Sequence, residues 1–220
     1  MKHRLRTIIL GACLMTFPPA QAASDLIAAT EAGRTEAVKA LIAQGADLEA
    51  RDAQGRTALL VAVAGNHVGA AKALLAAGAN LNAQAANRDT PWLLAGAAGR
   101  AEIVAAMLPL KPDLSLRNRY GGSALIPACE RAHVETVKLL LTSGIDVNHV
   151  NDLGWTCLLE IVILGDGGPR HQQVAKLVLD AGADPNLADR DGATPLAHAR
   201  ARGQGAVARL IEQAGGRVQR

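Results

Sequence analysis

The sequence predicts an all-α repeat solenoid of stacked helix-turn-helix units. Three observations carry this reading. A Ser/Thr-led tripeptide recurs as Thr57-Ala58-Leu59, Thr90-Pro91-Trp92, Ser123-Ala124-Leu125, Thr156-Cys157-Leu158 and Thr194-Pro195-Leu196, at intervals of 33, 33, 33 and 38 residues. Glycines follow apolar runs at a fixed offset: Gly45, Gly78, Gly144, Gly182 and Gly215. Hydrophobic residues make up 50% of the chain but aromatics only 2%, so the apolar content is mostly Ala, Leu and Val. Such side chains suit closely stacked helices better than one large core around a single centre.

Each unit reads the same way in order. The Ser or Thr is an N-cap for the first helix, and Pro in the following position suits the first helical turn. Counting back 33 residues from Thr57 reaches Ser24, which opens the first unit. A residue nine after the cap closes the helix: Gly33, Asn66, Gly99, Ala132, Gly165 or Gly203. Gly and Asn are the residues that tolerate the left-handed backbone of a helix end. A second amphipathic helix follows, as over residues 134–141, and a polar stretch such as 146–155 returns to the next cap. Asp47, Asp113, Asp146 and Asp184 recur in register in these stretches and read as turn-formers. Three departures stand out. Lys111 replaces the second glycine, so an irregular helix end is expected. Ala132 replaces the helix-closing Gly. The fifth unit carries five extra residues within 165–173, read as a flexible glycine-rich loop between its helices.

The first residues differ from the rest. Lys2, Arg4 and Arg6 precede an apolar run over 7–17, then Pro18-Pro19 and Ala20-Gln21-Ala22. That order is a secretory signal peptide cleaved after Ala22. The run is too short to span a bilayer. Leu10-Gly11-Ala12-Cys13 offers the alternative of a lipid anchor on Cys13. Removing the three leader cations from 23 Lys+Arg leaves 20 against 20 Asp+Glu. The pI near 9.0 is then a property of the leader, and nucleic acid is not expected as a partner. The organisation expected is a leader over 1–22, repeats over 23–216 in about six units starting near 24, 57, 90, 123, 156 and 194, and a tail over 217–220.

The period of 33, the Thr90-Pro91 and Thr194-Pro195-Leu196 openings and the run Leu74-Leu75-Ala76-Ala77-Gly78-Ala79 resemble the ankyrin repeat family. The resemblance extends from Ser24 to about Gly216. It implies antiparallel helix pairs joined by β-turn fingers, with no closed pocket. It also implies that His67 and His133, just after the helix-closing position, are structural. The polar Glu31, Arg34, Glu36 and Lys39 at one end, and His198, Arg200, Arg202 and Arg209 at the other, fit the water-facing caps a solenoid needs.

Nothing in the pattern points to catalysis, a metal or another cofactor. His149, His171 and His198 lack metal-ligand spacing, and no phosphate loop or nucleophile elbow is present. The resemblance instead implies a monomeric protein-binding module that uses its finger tips and the exposed side of each first helix. The tips fall over 52–56, 85–89, 118–122, 151–155 and 189–193. Two of the three aromatics after the leader, Tyr120 and Trp155, lie in adjacent tips, and Trp92 replaces a core Leu. Aromatic and Arg anchors dominate binding energy once a partner buries them. Arg56, Arg88, Arg119, Tyr120, Leu153 and Trp155 therefore form the candidate binding face. The expected role is an interaction scaffold exported to the periplasm, with a stress-defence enzyme such as a catalase as one partner class. An immunity protein that blocks a secreted toxin is the alternative, and an enzyme or metal protein the third.

Cys129 and Cys157 are expected to stay as free thiols. They fall on the first helices of adjacent units, five positions apart. At ~1.5 Å per residue, and with helices about 10 Å apart, side-by-side stacking puts their Cα atoms on the order of 12 Å apart, beyond the ~7 Å reach of a bridge.

Overall fold

Caps and left-handed turns divide the chain into twelve α-helices in the computed structural model, which describes residues 19–218. The charged start, the apolar run and Cys13 of the expected leader lie outside the described residues, as do the last two residues of the tail. The helices pair as α1 (Pro19–Glu31) with α2 (Thr35–Ala43), α3 (Ala58–Ala64) with α4 (Val68–Ala76), and α5 (Pro91–Ala97) with α6 (Ala101–Met107). They continue as α7 (Leu125–Glu130) with α8 (Val134–Leu141), α9 (Cys157–Ile163) with α10 (Pro169–Asp180), and α11 (Pro195–Ala201) with α12 (Gly205–Gln213). Each first helix packs on the first helix of the next unit, and each second helix on the next second helix, giving two layers. No strand occurs among the described residues.

The core runs the length of the stack between the layers. Leu59, Leu74, Ile103, Met107, Leu125, Leu140, Leu158 and Ile211 are fully buried, each contributing about 1.5–3 kcal/mol. Fully buried Ala58, Ala62, Ala70, Ala71, Ala95 and Ala128 let the helices come close. Trp92 is buried in this core, at 2% exposure.

The caps follow the motif with instructive exceptions. The hydroxyls of Thr57, Thr90, Thr156 and Thr194 accept hydrogen bonds from the amides of Leu60, Leu93, Leu159 and Ala197. Ser123 does not cap. Its Oγ is buried without a partner, and α7 starts only at Leu125. In the other units the residue four after the cap donates to the cap's carbonyl, as Val61 does to Thr57 and Glu160 to Thr156. In this unit that residue is Pro127, which has no N–H to give. Ser24 is no cap either, because it lies inside α1.

Helix ends match the expected left-handed positions at Gly33, Asn66, Gly99, Ala132 and Gly203, with φ of 65°, 55°, 69°, 49° and 69°. The fifth unit departs: its left-handed residue is Gly167, φ 66°, not Gly165. The insertion is also not simply a loop. It lengthens α10 by a turn, starting at Pro169 with Gly168 as N-cap. Lys111 does end its helix irregularly, after a 3-10 turn over Leu108–Leu110 and at φ 53°.

The free-thiol expectation is overturned. Cys129 and Cys157 form a disulfide, with Cα atoms 5.6 Å apart. The error was to stack adjacent first helices side by side in register. Their true relation places the last turn of one against the first turn of the next. The unit before shows the same offset: a Cβ on Gly96 would stand 2.6 Å from the Ala124 carbonyl oxygen. Gly96 is six residues past Thr90 and Ala124 one past Ser123, the spacing that Cys129 and Cys157 repeat.

Candidate functional site

The fingers are Asx-type turns. The side chains of Asp52, Asn118, Asn151 and Asp189 each accept hydrogen bonds from the amides two and four residues on. The intervening left-handed positions are Gly55, Gly121, Gly154 and Gly192. The finger before α5 differs, since Ala85 holds the Asx position and Arg88 adopts φ 67°. There Asn87 substitutes, accepting from the Asp89 amide and donating to its carboxylate. Neighbouring fingers are linked by Ala86 N–H to the Gln54 carbonyl at 3.3 Å and by Asp152 N–H to the Tyr120 carbonyl at 2.9 Å. These bonds tie the first four fingers together in two adjacent pairs.

A second ladder runs at their base. Asp47, Asp113, Asp146 and Asp184 accept the amide two residues on, as expected of turn-formers. The amides of Asp113 and Asp184 in turn donate to Asn82 and Asn148 of the preceding turn. Two histidines tie neighbouring units together: His67 contacts the Glu31 carbonyl at 3.2 Å, across the unit boundary. His171, inside the insertion, does the same to the Glu130 carbonyl at 2.9 Å and also meets Asp166 at 2.7 Å.

The six candidate residues separate. Arg56 is held by Asp52 at 2.6 Å and stands 3.8 Å from Glu31. It lines a groove of about 450 Å³ with Leu60, Asp89 and Leu94. Arg88 is exposed at its tip. Arg119 lies over the Tyr120 ring, 4.7 Å from its centroid. Trp155 is half-buried and packs on the core. Tyr120 and Leu153, 51% and 50% exposed, come together on a second groove of about 160 Å³ between the fingers and α7 and α9. Leu164, 52% exposed, completes its apolar rim.

The sequence reading missed the residue at the floor of that groove. Glu160 is 4% exposed. Its Oε1 accepts a hydrogen bond from Asn151 Nδ2 at 3.0 Å, and its Oε2 is buried without a partner. Burial pushes its carboxyl up to about 7, the charge of Glu130 adds to the rise, and the Asn151 bond opposes it. Glu130 lines the same groove. Neither glutamate is in an ion pair among the described residues. A signal was present: the position four after the cap is Val61, Leu94 and Pro127 in the preceding units, and Glu160 interrupts an apolar run. In the last unit the equivalent residue, His198, contacts the finger residue Asp189 at 2.7 Å, so the finger-to-helix polar link recurs with its chemistry reversed.

Among the described residues no group of three or more metal-ligating side chains occurs, and no helix is long and apolar enough to cross a membrane. The groove lining holds no Ser, Thr, Cys, His or Lys.

Comparison with known proteins agrees with this architecture. A family model described as ankyrin repeats in three copies matches residues 21–85 and 78–151. YahD of Escherichia coli strain K12, named as an ankyrin repeat protein, is 39% identical over 193 residues, covering 87% of this chain and 96% of that one. The crystal structure of an ankyrin repeat domain from Acinetobacter baumannii superposes with a TM-score of 0.83 at 48% identity, covering 87% of this chain and 98% of the other. Cyclin-dependent kinase 4 inhibitor B of Bos taurus is 38% identical over 101 residues, 44% of this chain and 72% of that protein. The chain belongs to the ankyrin repeat family, whose repeats bind other proteins and are generally non-catalytic.

Proposed function

We propose that this chain is a non-catalytic, exported binding scaffold that works in the periplasm and grips another protein on the groove edged by Tyr120, Leu153 and Leu164. The observation that carries the reading is that three large, half-exposed apolar side chains converge on one groove. Apolar side chains clustered this way favour a partner that buries them. A disulfide between two buried cysteines supports an oxidising compartment, as does the leader-like start. Leu26, Ala29 and Thr30 of α1 are buried and all follow Ala22, so cleavage there keeps them in the chain.

A stress-defence enzyme such as a catalase is one partner class. A blocked toxin is the second reading, favoured by the relative named for inhibiting a kinase. The test is affinity capture with the tagged full chain from a periplasmic extract, beside a Tyr120→Ala, Leu153→Ala double variant. A partner held by the parent and lost by the variant supports the scaffold, and its identity separates enzyme from toxin. A partner retained by the variant sinks the groove assignment. Intact mass of the captured chain reports cleavage: a chain starting at Ala23 supports export, and one lipidated at Cys13 contradicts a soluble periplasmic form.

A further inference from the structure

Ankyrin grooves are built from repeated positions, so a residue that breaks the repeat inside a groove calls for a reason. Glu160 breaks it where its three predecessors carry Val61, Leu94 and Pro127. A buried carboxyl with one oxygen unbonded is costly, and a second carboxylate beside it raises the cost. The hydrogen-bond partner of the Glu160 carboxyl among the described residues, Asn151, also accepts the amides of Leu153 and Trp155. The acid is therefore fixed to the finger that presents Leu153 and cannot turn away to solvent without disturbing it.

We propose that the groove is an anchor pocket for an arginine side chain of a partner protein, its guanidinium between Glu130 and Glu160 and its aliphatic stem against Tyr120, Leu153 and Leu164. The inference rests on the scaffold function above and names the chemistry the partner must present. Charge complementarity selects the occupant. Two carboxylates line the groove with no cation paired to either among the described residues. Arginine fits better than lysine because its guanidinium is planar, weakly hydrated and bonds two carboxylates at once. The apolar rim accommodates a stem that an ammonium-capped small molecule lacks. Burial and Glu130 hold the Glu160 proton on until pH approaches about 7 in the empty groove, and the positive charge of an entering guanidinium offsets both. The Arg56 groove between the earlier fingers does not share this character, since the single acid in its lining, Asp89, shares the groove with Arg56 of the chain itself.

The test is a titration of the isotope-labelled full chain with N-acetyl-arginine amide, read at the amides of Tyr120, Leu153 and Glu160 by NMR. N-acetyl-lysine amide and N-acetyl-leucine amide are the comparison probes. The expected result is saturable shifts with arginine, weaker binding of lysine, none with leucine, and at least tenfold loss in Glu160→Gln. Glu130→Gln, at a half-buried position, gives the same loss if Glu160→Gln fails to fold. Equal shifts with leucine, unchanged affinity in both variants, or no shift at these amides each overturns the anchor. Protein-partner capture that depends on Tyr120 and Leu153 but survives Glu160→Gln would leave the scaffold standing and remove only the arginine.

Discussion

Ala132 carries a β-carbon at φ 49°, where four of the other units place Gly or Asn in the same left-handed region. The strain costs a side-chain-bearing residue roughly 1–2 kcal/mol relative to Gly, and unfolded-chain entropy returns about 0.4–1 kcal/mol of that. Ala132→Gly is therefore expected to be neutral or to stabilise by up to about 1.5 kcal/mol in urea melts; a clear loss would mean that its buried methyl outweighs its backbone. Glu160 makes a second residue-scale prediction. Its folded carboxyl binds a proton more tightly than the ordinary value of 4.5, up to about 7. Protonation thus favours the fold, and its contribution is complete below pH 4.5 and lost as pH rises through 7. At about 1.36 kcal/mol per tenfold change in proton affinity, the loss is on the order of 3 kcal/mol. Urea melts of the parent and Glu160→Gln should diverge over that window, with the variant the more stable at pH 8; parallel curves would show the acid is not held as described. Tyr120→Ala should leave the melting temperature nearly unchanged, whereas half-buried Trp155→Ala should cost about 2 kcal/mol. The aromatics were legible in the sequence, but their division into a rim residue and a packing residue was not, because both sit in turns of the same pattern.

The six helix pairs were legible from period, caps and glycines, since each signal repeats with the fold. What escaped were places where one side chain overrides the repeat. Pro127 removes a first-turn donor and delays α7, leaving Ser123 idle. The insertion reads as a flexible loop from its glycines, yet it extends α10 and carries His171 into the place that His67 fills in an earlier unit. If that capping bond holds the insertion to the stack, His171→Ala should destabilise by roughly 1–2 kcal/mol, as should His67→Ala. Thermal melts check this, and an unaffected His171→Ala would mean that the lengthened helix stands without the bond.

Across the whole molecule, stability in a solenoid is a sum over neighbouring units, so a covalent link between two of them acts on the boundary it crosses. The Cys129–Cys157 bridge closes a loop with a sequence separation of 28, worth roughly 3–4 kcal/mol in the chain-entropy account. Thiol labelling of the denatured, unreduced protein should find neither cysteine free, and reduction should lower the urea midpoint; two labelled thiols after the leader would contradict the bridge. The stacking register that brings these cysteines together was not legible, because periodicity gives the order of the units but not the offset between neighbouring helices. Binding follows from the same geometry, since the stack aligns the fingers before α7 and α9 over one groove. The central claim is that this groove holds a protein partner, and calorimetric affinity of the captured partner for the parent and for Tyr120→Ala tests it most directly. The account predicts a loss of about 2 kcal/mol, roughly thirtyfold in Kd, with an unchanged melting temperature; an unchanged Kd would contradict it.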